Sequence, residues 1–216
     1  MMKAKTKARR QAIVDVAAQV FGELGYERAS MDEVSHRGGG SKATIYNYFS
    51  NKEELFFEVV FQSTEAEFEA THAALDVDEP DLTRALEQFG QRLLALLYSP
   101  EVQAVRRLVI AEGARSDLGK KCYAMAPARS EAMIAAFLQQ AIDQGKLRPT
   151  DTRIASLHLR GLFESELLDK FLFHTLDAVS KQEIAAIAQR AVAVFMAAYG
   201  PAATPAERAA VPRRQG

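Results

Sequence analysis

The chain has 216 residues, 48% of them apolar. It can bury roughly 70% or more of the surface its extended form exposes, enough for one large domain or a small one joined to a larger one. The formal net charge of −1 excludes a uniformly basic coat, yet the charge is segregated: residues 1–52 hold nine Lys or Arg against five Asp or Glu, and the remainder is acidic by five. There is no run of 18 apolar residues and no signal-peptide pattern, and the single cysteine, Cys122, excludes an internal disulfide, so a cytoplasmic location and no membrane partner are expected.

A basic arm (Lys3, Lys5, Lys7, Arg9, Arg10) leads into a first helix over about 7–24, with Ile13, Ala17, Phe21 and Leu24 on one stripe and Gly25 at its end. Ser30 and Glu33 form a Ser-x-x-Glu capping box, which starts a second helix at Met31. Gly38, Gly39 and Gly40 stop it in a tight turn, and Ser41 caps a third helix to about Tyr48. In that helix Ile45 and Phe49, four apart, point inward. Lys42 and Thr44 lie in the first turn, where a recognition helix meets base edges, and Tyr46, Asn47 and Tyr48 offer hydroxyl and amide groups. Helix, turn, helix with this polar face is a device for reading double-stranded DNA. Asn51 then caps a long helix over 51–75 whose first residue, Lys52, is placed to meet a phosphate.

The pattern stays helical, and the fold class is all-α. Pro80 and Pro100 bracket a helix carrying Leu82, Leu86, Phe89, Leu93 and Leu97, and Pro100 opens another through Glu112. Gly119 and Pro127 interrupt the next segment. A helix from about Ala128 closes at Gly145, one from Thr150 runs to about Phe173, and a capping box of Ser180 and Glu183 starts the last, which ends at Gly200-Pro201. The tail 201–216, rich in Ala, Pro and Arg, reads as disordered. The domains expected are therefore 1–52, a DNA-binding unit, and 53–200, a larger helical unit.

Each of the last two long helices carries more apolar surface than one stripe. Ile154, Leu157, Gly161, Ser165, Leu168 and Leu172 make one seam, and Leu159, Phe163, Leu167 and Phe171 another. Ile184, Ile187, Ala188, Ala191 and Phe195 give the final helix a seam of its own. One seam can face the chain's own core and the other a second copy, so a homodimer through a four-helix bundle is expected.

The first 60 or so residues resemble the DNA-binding domain of the TetR family of bacterial transcriptional regulators. The likeness is carried by Val20-Phe21-Gly22-Glu23-Leu24-Gly25-Tyr26, Ser30-Met31-Asp32-Glu33-Val34, Ser41-Lys42-Ala43-Thr44-Ile45-Tyr46-Asn47-Tyr48-Phe49 and Asn51-Lys52-Glu53-Glu54-Leu55, in order and spacing. The remainder resembles the AcrR-like regulators more loosely. The resemblance implies about nine helices, a homodimer through the last two, and a small-molecule effector cavity in the middle helices. It assigns Lys42, Ala43 and Thr44 to base edges, Tyr46 and Tyr48 to backbone or base, and Lys52 to phosphate, with Ser30 and Ser41 at the caps of the same surface. Gly40 departs from the family pattern, which has an apolar residue there, and Gly40→Val is expected to raise the melting temperature.

Candidate effector contacts are the flexible and aromatic residues Phe61, Phe68, Phe89, Leu93, Ile110, Met125, Met133, Phe137 and Phe163. Two Glu-x-x-His pairs, Glu33 with His36 and Glu69 with His72, raise the idea of a di-iron bundle. Glu33 belongs to a capping box on a short helix, whereas such a bundle needs long facing helices. No metal, no cofactor and no catalytic residue is assigned. The function expected is a ligand-responsive repressor. The competing readings are a constitutive or architectural DNA binder without effector, and an activator.

Overall fold

The computed structural model describes the backbone of residues 2–201 and side chains from Thr6 onward. The expected disorder of the tail concerns residues that, from 202 on, lie outside that range, as do the side chains of Lys3 and Lys5. Among the described residues the chain forms eleven helical segments and no strand. They are α1 (Met2–Arg28), α2 (Met31–Arg37), α3 (Lys42–Tyr46), α4 (Lys52–Ala73), α5 (Leu82–Leu97), α6 (Pro100–Glu112), α7 (Leu118–Met125), α8 (Pro127–Asp143), α9 (Thr152–Glu164), α10 (Leu168–Leu172) and α11 (Lys181–Tyr199).

The helix starts follow local chemistry. Ser30, Ser41, Ser99 and Ser180 each accept a hydrogen bond from the backbone N–H three residues on, and Asn51 Oδ1 does the same for Glu54 N–H at 2.8 Å. The box at Ser30 is only half made, because the Glu33 carboxylate turns to Arg37 Nε at 2.6 Å instead of returning to the cap. The basic segment before residue 7 is helical, part of α1, and Gly25 interrupts α1 near its end with φ 74° and ψ 164°, a backbone that glycine alone adopts freely. Two departures raise the helix count above nine. Gly119 does not interrupt its segment but lies inside α7, where its Cα packs against Gly113. The helix expected to run on to Phe173 breaks after Glu164 and resumes as α10.

The chain divides into two compact units, residues 1–69 with 96–126, and residues 70–95 with 127–216. The first takes in far more than the 1–52 expected of a DNA-binding unit. Its core joins Val14, Ala17 and Phe21 of α1 to Val34 of α2, Ile45 of α3, Leu55 and Phe57 of α4, Val105 of α6 and Leu118 of α7. In the second unit Phe89 meets Phe163 edge to face at 6.0 Å between ring centroids. A Cβ on Gly90 would fall 2.2 Å from the Phe163 ring, so only glycine lets α5 come this close. His72 stands edge-on to Phe89, and its Nε2 shares a 2.7 Å hydrogen bond with Ser130 Oγ, both groups buried.

Candidate nucleic-acid interface

The surface centred on α3 is built from the core outward. Ile45 and the fully buried Phe49 hold the helix down. Burial of a side chain of that size is worth about 1.5–3 kcal/mol, so the opposite face is fixed in space. That face presents Ser41, Lys42, Ala43, Tyr46 and Asn47, all exposed, with Tyr46 at 45%. The helix stops at Tyr46, two residues earlier than the sequence suggested, with Asn47 at its C-cap. Tyr48 is half-buried and packs against the core, so it is less available than an outward tyrosine would be. Thr44 Oγ1 is bonded to the cap hydroxyl of Ser41 at 2.9 Å, which fixes its methyl and hydroxyl at the head of α3.

The cations around α3 are mostly engaged. Lys42 Nζ lies 2.7 Å from Asp32 Oδ1, an exposed pair in which the carboxylate raises the lysine's affinity for its proton. Arg37 bonds both Glu23 and Glu33. Lys52 has partners that the sequence did not suggest. Its ammonium, foreseen at a phosphate, donates to the carbonyls of Tyr26 and Ala29 at 3.0 and 3.3 Å and lies over the Tyr26 ring at 4.2 Å, so it ties the α1–α2 corner to the head of α4. Burial, then the hydrogen bond to Glu53, holds the Tyr26 phenol well above its ordinary pKa. Arg10 of the expected basic arm is likewise internal: Nη1 donates to Glu58 at 2.7 Å, and the guanidinium covers the Phe49 ring at 4.8 Å.

One further pair braces the end of α3. Glu54 accepts both the N–H and the hydroxyl of Ser50 and pairs with Lys121 of α7 at 2.9 Å. Burial alone would push this carboxyl up, but Lys121 and Ser50 together outweigh it and hold the pKa at about 2. Sequence spacing could not have revealed Lys121 as a partner, since 67 residues separate the pair.

The effector candidates divide between the two units. Phe61, Phe68, Ile110 and Met125 belong to the first unit, and Phe89, Leu93, Met133, Phe137 and Phe163 to the second. Ile110 is 59% exposed, because α6 turns Val105, Leu108 and Val109 to the core instead, so Ile110 lines no interior here. Among the described residues no group of three or more His, Cys, Asp or Glu could hold a metal ion, and no helix is long and apolar enough to cross a membrane.

The seams of the last helices also differ from expectation in part. Helices α9 and α11 run antiparallel, with His158 beside Tyr199 and Glu166 bonded to Arg190. Ile184, Ile187, Ala188, Ala191 and Phe195, expected at a partner, are buried within this chain, where they pack the α11 side of the second unit. On α9 and α10 the expected seam does stay outward at Leu157 (41% exposed), Gly161, Ser165, Leu168 and Leu172, whereas Ile154 is half-buried. The outward face of α11 is Ala193, Val194 (54% exposed), Ala197 and Ala198.

Comparison with known proteins agrees with this architecture at both ends. Residues 13–59 match the family described as bacterial regulatory proteins, tetR family, and residues 84–201, more than half the chain, match the C-terminal domain of AefR-like transcriptional repressors. The chain is 27% identical to the HTH-type transcriptional regulator AcrR of Shigella flexneri over 79% of its length and 81% of that protein. A TetR-family transcriptional regulator from Mesorhizobium loti MAFF303099 superposes with a TM-score of 0.76 at 29% identity, over 90% of this chain and 98% of that one. The flavonoid-responsive regulator FrrA superposes at 0.66 with 26% identity, over 91% of this chain and all of that one.

Proposed function

The chain belongs to the TetR family of bacterial transcriptional regulators, which are not enzymes, and from that premise we propose that it represses transcription as a cytoplasmic homodimer on a roughly palindromic operator and leaves it when a small hydrophobic effector binds. The observation that carries the DNA-reading part is the outward face of α3, with Lys42, Ala43, Thr44, Tyr46 and Asn47 on a helix pinned by Ile45 and Phe49. The exposed caps Ser30 and Ser41 border that surface, and Tyr48 and Lys52, half-buried, lie beside it. Two such helices in a symmetric dimer read half-sites about 34–36 Å apart or a multiple of that.

The dimer reading is supported by unpartnered apolar surface on α9, α10 and α11, where Leu157, Gly161, Leu168, Leu172 and Val194 are exposed. The effector reading is supported by polar groups set in an apolar interior. His72 and Ser130 bond to each other among Phe89 and Phe163, and the buried Thr71 hydroxyl has no hydrogen-bond partner, a cost of about 1–3 kcal/mol unless a ligand or water meets it. The likeness to a flavonoid-responsive regulator favours an effector with an aromatic body. Helix α4 begins in the first unit and ends in the second with Thr71 and His72, so an effector that shifts its end shifts the spacing of the two recognition helices. A coupling of about 1–3 kcal/mol suffices for 5- to 150-fold release.

Selection of bound sequences from random duplex DNA tests the reading. An enriched motif with two inverted halves is the expected result; enrichment of nothing, or of a single asymmetric motif, contradicts it. A ligand that binds tightly yet leaves operator affinity unchanged contradicts the induction step alone.

A further inference from the structure

Lys42, Arg37, Lys52 and Arg10 are all committed to acids or carbonyls of the first unit, so any phosphate that recruits one must first displace a partner. Arg9 is different. It is exposed and makes no ion pair or hydrogen bond among the described residues. Its guanidinium lies against the backbone of Gly40, the residue before the α3 cap, so close that a Cβ built on Gly40 would fall 2.7 Å from Nη2.

Backbone conformation does not explain that glycine. In this turn it is Gly39, at φ 60°, that adopts the left-handed region; Gly40 does not. The fold also forgoes packing here, for a cavity of about 60 Å³ opens beneath Arg9, lined by Ala12, Ile13, Val16, Val34, Gly38 and Ile45. What the absent side chain supplies is a notch that seats the arginine beside the head of the recognition helix. Ser35 Oγ donates to the Gly40 carbonyl at 2.7 Å and holds the floor of the notch in place.

We propose that Arg9, seated in the notch at Gly40, is the phosphate clamp of the DNA-reading surface, and that Gly40 is its positioning residue. The inference rests on the DNA-reading function proposed above. A planar fork of N–H donors suits two oxygens of one backbone phosphate, and phosphate contacts flanking a recognition helix fix its register in the groove without reading sequence. Because the guanidinium has no intramolecular partner to surrender, its contact adds a full counterion release per protomer.

The test is the salt dependence of duplex binding by the full chain, with a selected operator or a random-sequence 30-mer duplex as probe. Arg9→Ala is expected to lower the slope of log affinity against log salt by about 0.9 per protomer and to weaken all sequences alike. Arg9→Lys is expected to keep the slope while losing part of the affinity. Gly40→Ala, whose thermal melt should be at or above wild type, is expected to weaken binding several-fold when Arg9 is present and to change nothing in the Arg9→Ala background. An unchanged slope in Arg9→Ala, or an equal loss from Gly40→Ala in both backgrounds, overturns the inference while leaving the DNA-reading function standing. If the wild-type chain binds no duplex at low salt, both fall together.

Discussion

The two units of the chain differ in what they leave at the surface. In the first, α1 to α4, α6 and α7 share one core that leaves Ile110 outside it, and most charged groups around α3 are paired internally. In the second, the core is as complete, but Leu157, Leu172 and Val194 remain exposed, and a buried hydroxyl at Thr71 lacks a partner. A surface that meets a polyanion must keep its cations ordered until the polyanion arrives. A surface that meets a second copy of the same chain can leave hydrophobic side chains waiting.

The largest effect expected from breaking this contrast is on assembly. Leu157→Glu combined with Val194→Glu places charge on the outward seam and should yield a monomer in sedimentation, with operator binding lost and the helical melt preserved. A dimer that survives the pair of substitutions contradicts the assignment of that face. Next in size, Phe49→Ala removes a side chain that is fully buried behind α3 and should cost about 3–5 kcal/mol in urea unfolding. A loss below about 1 kcal/mol would mean that α3 is not anchored from behind.

A smaller effect separates the brace at Glu54 from ordinary surface charge. Its carboxyl sits at about 2 in the folded chain against a reference of 4.5, so its contribution to stability is complete above about pH 4.5 and is lost as pH falls toward 2. The melting-temperature gap between wild type and Glu54→Gln should therefore narrow across that window. A gap that stays constant from pH 6 down to pH 2 contradicts the Lys121–Glu54–Ser50 brace. The smallest effect concerns Asp32, whose removal as Asp32→Asn frees Lys42 without touching the core. Duplex affinity at low salt should rise a few-fold; a fall would mean that the pair holds Lys42 in its working position.

Local chemistry explains which parts of this were legible in the sequence. The caps at Ser30, Ser41, Asn51 and Ser180 were readable because a cap is a contact over three residues. The inward pair Ile45 and Phe49 followed from helical spacing, and the all-α class from the run of caps and breakers. The destinations of Lys52 and Glu54 were not readable, since each depends on a carbonyl or ammonium brought close only by tertiary packing. Periodicity found the stripe on α11 but could not say whose core it enters, and Ile184, Ile187, Ala188, Ala191 and Phe195 serve the chain itself. Glu164-Ser165-Glu166-Leu167 holds neither Gly nor Pro, so the break between α9 and α10 left no local mark.

The most direct measurement is a titration of duplex DNA with the intact chain and with a variant carrying Lys42→Ala, Thr44→Ala and Tyr46→Ala, at low and moderate salt. The account predicts tight, sequence-selective binding by the wild type and, for a variant that melts like wild type, only weak binding indifferent to sequence. Equal, sequence-selective binding by both would contradict the claim that the outward face of α3 reads the double helix.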